Sequence, residues 1–349
     1  MSTLKEYVEK LDCADEAERI YAAEDIGYLN SPDGVPPLLQ HVDGEPSRAV
    51  REAIFQALTR IEGDVPIEGA IRLLASDDPQ IRNQAVEVLR HKGAPSVPFL
   101  SAVLRDGDKD LRKLVLDVLS GVESSGAEAI YRTALRDPEP NVVITAVENL
   151  GRTRATGFRQ RIEDLLLGNS HPMLVGACLE ALAGIGDEES LLAIRQRFPE
   201  LAALPDFFLV SCLKAIGALG TASDAAEVAR LLNIRGPHVR PAILAALLAI
   251  YQRHPIQSHD ADLRPALEAI AADAGPPLGR YQAVRALGAL FPADDVFAFL
   301  IACLSSGERM VRLGAIESLR ETGRPGLEAA LAARALEETD EEVQQALSC

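Results

Sequence analysis

The chain has 349 residues, is 48% hydrophobic, has no Trp, and carries a formal charge of −17. That charge argues against unaided attraction to DNA, RNA or an anionic membrane, because long-range attraction to phosphate needs local positive charge. With aromatics at only 4%, a core of Ala, Leu, Val and Ile suits closely spaced helices better than a β-sandwich.

The first residues, MSTLKEYVEKLDCADEAER, are charged from Lys5 onward and lack the apolar run of a signal peptide. No later run approaches the roughly 18 apolar residues of a spanning helix. Cys13, Cys178, Cys212, Cys303 and Cys349 are odd in number and form no CxxC pair, which predicts free thiols in a reducing, cytoplasmic setting.

From Glu18 a pattern begins to recur. ERIYAAEDI (18–26) is followed by VREAIFQAL (50–58), IRNQAVEVL (81–89) and LRKLVLDVL (111–119). Each has an Arg at its second position and small or apolar residues at the fifth, sixth and ninth. VVITAVENL (142–150), LVGACLEAL (174–182) and FLVSCLKAI (208–216) keep the apolar positions but lose the Arg. The Arg returns in VRPAILAAL (239–247), GRYQAVRAL (279–287) and VRLGAIESL (311–319). The period is about 31 residues, apart from one longer step between the eighth and ninth units. Each unit reads as a first helix A, such as VPFLSAVLRD, a turn rich in Asp, Gly and Pro, and a second helix B carrying the pattern. The apolar positions form one stripe that only neighbouring units can cover. The spacing therefore predicts an all-α, right-handed α-solenoid of about ten helix-turn-helix units. It is read as a single domain over 1–349, with a partial capping unit at 337–349.

The pattern (V/I/L)RxxAxxxL at this period resembles HEAT repeats, and most closely the short bacterial class named after phycobilisome lyases. The resemblance covers essentially the whole chain. It implies a solenoid whose B helices line the concave side, and a bacterial, cytoplasmic, non-catalytic scaffold or adaptor that holds a partner protein there. It also implies an alternative, a chromophore-lyase-like subunit acting on a phycobiliprotein, for which no Cys or His is placed to form a tetrapyrrole pocket. A nucleic-acid-binding HEAT-like protein fits worst, because the B-helix column is acidic and Trp is absent.

The seventh position of the pattern points away from the buried stripe at ~100° per residue. It reads Glu24, Gln56, Glu87, Asp117, Glu148 and Glu180, then Lys214, Ala245, Arg285 and Glu317. Two readings follow: a groove for a basic partner segment, or a solvated face of helix formers. The Arg column (Arg19, Arg51, Arg82, Arg112, Arg240, Arg280, Arg312) is read as ties between neighbouring turns rather than phosphate ligands. In units five to seven its place is taken by Val143, Val175 and Leu209, near Ile144, Phe207, Phe208 and Val210. Either the units pack more tightly there, or the array offers an apolar patch. The expected partner site therefore comprises Glu24, Glu87, Asp117, Glu148 and Glu180, with an apolar anchor at Val143 and Phe208.

No chemistry stands out. None of the six His is followed by Glu, so the His-Glu pairs of the HEAT-like hydroxylase that modifies deoxyhypusine are missing. HExxH, GK[ST], GxGxxG and GxSxG are also missing. HPIQSHDAD (254–262) gathers His254, His259, Asp260 and Asp262 at a spacing that matches no common metal site, and reads as a polar loop. No catalytic residue, metal or cofactor is expected. Elemental analysis of purified protein should find no stoichiometric Zn or Fe; one metal per chain, lost in the double variant His254→Ala/His259→Ala, would overturn the loop reading.

Overall fold

Asp, Ser, Gly and Pro punctuate the helices as the sequence suggests. Ser47 caps one B helix by accepting from the Val50 N–H at 3.3 Å, and Asp78 another by accepting from the Gln80 N–H at 2.7 Å. Pro79, Pro140, Pro172 and Pro277 occupy first-turn positions, where the missing N–H costs nothing. Gly93 ends one helix with φ 63°, a left-handed conformation that a side chain would disfavour.

The computed structural model describes residues 3–122, 124–254, 258, 262–322, 324 and 327–348. Its helices gather into two compact units, residues 1–153 and 154–349. In the first, five hairpins follow in order: α1 (Leu4–Leu11) with α2 (Glu16–Leu29), α3 (Val35–Val42) with α4 (Arg48–Arg60), α5 (Asp64–Leu73) with α6 (Pro79–Lys92), α7 (Val97–Asp106) with α8 (Lys109–Leu119), and α9 (Ser125–Ala134) with α10 (Pro140–Arg152). In the second, α11 (Arg159–Gly168) pairs with α12 (Pro172–Ile185), α13 (Glu188–Arg197) with α14 (Asp206–Leu219), and α15 (Ala222–Ile234) with α16 (Arg240–Arg253). There follow α17 (Leu263–Ala272) with α18 (Pro277–Leu290), α19 (Ala293–Cys303) with α20 (Arg309–Glu321), and α21 (Leu327–Ala335) with α22 (Glu341–Ser348). Among the described residues there is no strand, and the fold is an α-solenoid of hairpins. The last hairpin begins at α21, ahead of the 337–349 segment expected to hold a partial unit.

The stripe is buried as the pattern requires. In α6, Ile81, Ala85, Val86 and Leu89 are all in the core, as are Val115, Leu116 and Leu119 in α8. Each fully buried Leu or Ile contributes about 1.5–3 kcal/mol. Where a small residue sits at the crossing point, B helices approach closely. A Cβ on Gly27 of α2 would lie 2.8 Å from the Ala57 Cα of α4, and one on Gly217 of α14 would lie 2.9 Å from the Ala246 Cα of α16. Thr59 of α4 and Arg90 of α6 hold the place of Gly27 in their own helices.

The Arg column forms a ladder between turns. Arg19 grips Glu45 with two bonds of 3.0 Å, Arg51 reaches Asp78 at 2.9 Å, and Arg112 holds Asp137 with two bonds of 2.8 Å. In the second unit Arg312 holds Glu338 at 2.9 and 3.1 Å. Each receiving carboxylate also accepts a backbone N–H in its own turn, from Ser47, Gln80, Glu139 and Asp340 respectively. One acid thus shapes its own turn and receives the arginine of the preceding hairpin. Burial alone would push the Glu338 carboxyl up, but the Asp340 N–H and the Arg312 guanidinium together hold it below the usual carboxylate value. Arg82 and Arg280 depart from the series: among the described residues each bonds only within its own hairpin, Arg82 to Ser76 O (2.7 Å) and Asp77 O (3.1 Å), Arg280 to Ala271 O (3.0 Å). Arg82 lines a cleft of about 450 Å³ with Asp108 without pairing to it.

Where the Arg is lost, the residues that take its place are buried. Val143, Val175 and Leu209 are 5%, 1% and 0% exposed, so the apolar column packs inward. In the second unit A helices also carry ion pairs between hairpins. Arg159 of α11 reaches Asp187 and Glu189 at the start of α13, and Arg195 of α13 reaches Asp224 and Glu227 of α15. Other cations reach backwards to close helix ends. The Lys92 ammonium donates to Thr59 O and Ile61 O at the end of α4, and Arg253 donates to Gly217 O and Gly220 O at the end of α14. Burial pushes the Lys92 ammonium below its usual value.

Candidate partner-binding surface

Within residues 1–153 the B helices expose the predicted column. Glu87, Gln56 and Glu148 are exposed, whereas Glu24 and Asp117 are half-buried. The column is less negative than its sequence suggests. Glu87 is bonded at 2.6 Å by Arg90, one turn further along α6. Burial pushes the Asp117 carboxyl above its usual value, opposed by Lys113, Arg90 and Arg152. Among the described residues, Glu24, Asp117 and Glu148 have no cation within ion-pair distance.

Between α4 and α6 the surface opens into a cleft of about 770 Å³, lined by Glu52, Gln56, Arg60, Gln84, Glu87 and Arg90, among others. A smaller hollow of about 210 Å³ continues it along Arg48, Arg51, Gln80 and Asn83, sharing Glu52, Phe55 and Gln84 with the larger one. Thr59 and Val88 line the cleft where Gly27 and Ala57 touch in the preceding pair, and the bulkier pair leaves the groove between the helices open. Phe55 is buried in its floor. Sequence inspection marked Gln56 and Glu87 but missed Gln84, Arg60 and Arg90, because the cleft depends on interhelical spacing.

In the second unit Glu180 is paired across to Lys214 of α14. Phe208 is half-buried, its ring 5.8 Å from Phe198 and 5.2 Å from Phe207. The exposed apolar groups there are Phe207 (52%), Met173 (55%) and Val210 (43%). Phe207 lies against α12, 3.6 Å from where a Cβ on Gly176 would stand. An apolar anchor at Val143 therefore has almost no surface to work with.

Burial pushes the Cys178 and Cys212 thiols up to about 12 and Cys303 to about 11. They are protonated at neutral pH and poor nucleophiles. Among the described residues no group of three His, Cys, Asp or Glu could hold a metal. His254 and Asp262 are described, whereas His259, Asp260 and Cys349 lie outside the described residues. No helix of the described residues is long and apolar enough to cross a membrane.

The hairpin stack, the forward-reaching arginines and the exposed B-helix column define a repeat protein of the α-solenoid class. The chain belongs to the HEAT-repeat family: the family model described as HEAT repeats matches residues 4–90, 96–183 and 263–348. No curated protein matches it in sequence. Two crystal structures of importin beta, one in ammonium sulfate and one in polyethylene glycol, share the fold. Each is 14% identical over 99% of this chain, with TM-scores of 0.62 and 0.64. The chain spans only 56% and 58% of those two chains.

Proposed function

We propose that this chain is a non-catalytic HEAT-repeat scaffold that holds a partner protein against its B helices, with residues 1–349 acting as one functional array. The observation that carries this reading is a division of labour among the polar side chains. The ladder arginines are used within the fold, while Gln56, Glu87 and Glu148 project from the B helices and serve no tie between hairpins. Extended repeat surfaces suit this role because they present many side chains on a preordered frame. A basic stretch of the partner would meet Glu24, Asp117 and Glu148, the column's carboxylates without an ion pair among the described residues, and Phe207 with Met173 offers an apolar contact in the second unit. Such charges steer encounter more than they hold, since exposed pairs contribute about 0–1 kcal/mol each. The narrower phycobilisome-lyase-type class and a bacterial cytoplasmic setting belong to this proposal as expectations of the repeat pattern.

The test is site-specific photocrosslinking in the native cell. A crosslinking residue at Gln56 or Glu148 is expected to trap the same protein, and one at Glu68, on the A helix α5, is not. Equal trapping from both faces would sink the proposal. A related check concerns the fold: Glu87→Ala should shift denaturant stability by no more than about ±0.5 kcal/mol, as exposed substitutions usually do. A larger loss would show that Glu87 is a structural tie.

A further inference from the structure

The cleft between α4 and α6 differs from the rest of the B-helix face in which of its groups are left without partners. Its carboxylates are matched: Glu52 by Arg48 at 2.8 Å and Glu87 by Arg90 at 2.6 Å. Arg51 is committed to Asp78. Two kinds of group remain. The side-chain amides of Gln56 and Gln84, one from each wall, have no hydrogen-bond partner among the described residues. Arg60 has no carboxylate within ion-pair distance there, and its guanidinium stacks on the exposed Tyr28 ring, 4.4 Å from the centroid.

An amide side chain offers a donor and an acceptor on one plane, which matches the alternating N–H and C=O of an extended main chain. The thirteen-residue α4 runs about 20 Å at 1.5 Å per residue. That length accommodates about six residues of extended chain at roughly 3.3 Å each. The volume of about 770 Å³ falls in the usual range for a ligand site, about 300–1,000 Å³. The one unmatched charge facing this chain is positive.

We propose that the α4–α6 cleft binds an extended peptide segment of another protein, whose main chain bonds with Gln56 and Gln84 and which places a carboxylate against Arg60. The inference rests on the B-helix face being a docking surface, and it alters the charge expected there. A basic stretch fits Glu24 and Glu148, but the residue read in this cleft is an acid.

The probe is a phage-displayed library of random twelve-residue peptides selected on the full chain, followed by synthesis of the enriched sequences. Enriched peptides are expected to share an Asp or Glu. Gln56→Ala/Gln84→Ala should weaken them at least tenfold, and Arg60→Ala should abolish the preference for an acid over its amide analogue. On the unaltered protein, N-methylation of one central peptide bond should also weaken binding at least tenfold. This measurement stands even if the double variant folds poorly. Enrichment of peptides that bind the double variant equally, tolerate N-methylation throughout or show no acid preference overturns the proposal, as does a selection that enriches nothing. In each of those cases crosslinking from Gln56 and Glu148 still decides whether the B-helix face holds a partner, so the two failures are separable.

Discussion

Arg312→Ala is expected to destabilise the second unit by about 1.5–3 kcal/mol, the range for hydrogen bonds to charged groups. Arg312 is 9% exposed and Glu338 5%. The variant removes two bonds to Glu338 and one to Ser306 O, leaving a buried carboxylate with Arg334 as its remaining cation. Arg82→Ala is the matched control, since Arg82 ties only its own turn, and it should cost clearly less in the same denaturant melt. Equal losses would mean that the arginines act through their own turns and the ladder is not what joins hairpins. The effect should also depend on pH. The Glu338 carboxyl lies below its ordinary value of 4.5 in the folded protein. Its contribution is therefore fully present above about pH 4.5 and fades as pH falls through the lowered folded value. The gap between wild type and Arg312→Ala should narrow over that acid window; a gap unchanged from pH 7 to pH 3 would argue against the pair as its source.

Gly27→Ala is expected to reverse the usual sign of a helical Gly-to-Ala change. In an open helix the substitution stabilises by about 1 kcal/mol. Here the new methyl would stand 2.8 Å from the Ala57 Cα, a backbone atom that can yield only if α2 and α4 move apart. Overpacking of this kind costs about 1–3 kcal/mol. Gly168, at the end of α11, has nothing within 4 Å of the equivalent position, so Gly168→Ala should be neutral or mildly stabilising. Thermal melts of the two variants decide the matter, and a stabilised Gly27→Ala would show that the close approach of these helices carries no energetic weight.

The repeat itself was legible because its signal is periodic. Arg112, its apolar neighbours and their 31-residue recurrence mark the B helices directly. The acceptors of the ladder were harder to see, because they occupy two registers: Glu45 stands six residues before Arg51, whereas Asp78 stands four before Arg82. Turn geometry brings both carboxylates to the same place. The A-helix ties of Arg159 and Arg195 have no period, since one sits at a helix start and the other near a helix end. Exposure of the acidic column was readable from helical phase, but its neutralisation only in part. Arg90 follows Glu87 at helical spacing, whereas Lys214 reaches Glu180 from the next hairpin. Val143 and Phe207 both lie near B-helix starts where the Arg is missing, yet one is buried and the other exposed, because Val143 holds the second position of the pattern and Phe207 stands one residue before its first.

The double duty of Glu45, Asp78, Asp137 and Glu338 bears on how this array could be shortened, lengthened or recombined. A hairpin such as α5–α6 arrives with an acceptor in its turn and needs a donor upstream, so it is not a free-standing brick. Placed after a hairpin whose donor is Val175 or Leu209, it would present a carboxylate to an aliphatic side chain. The transferable piece is the junction, from one arginine to the next turn's acid, and a chimera cut between a turn's acid and the arginine that follows it, as between Glu45 and Arg51, would keep each such junction whole.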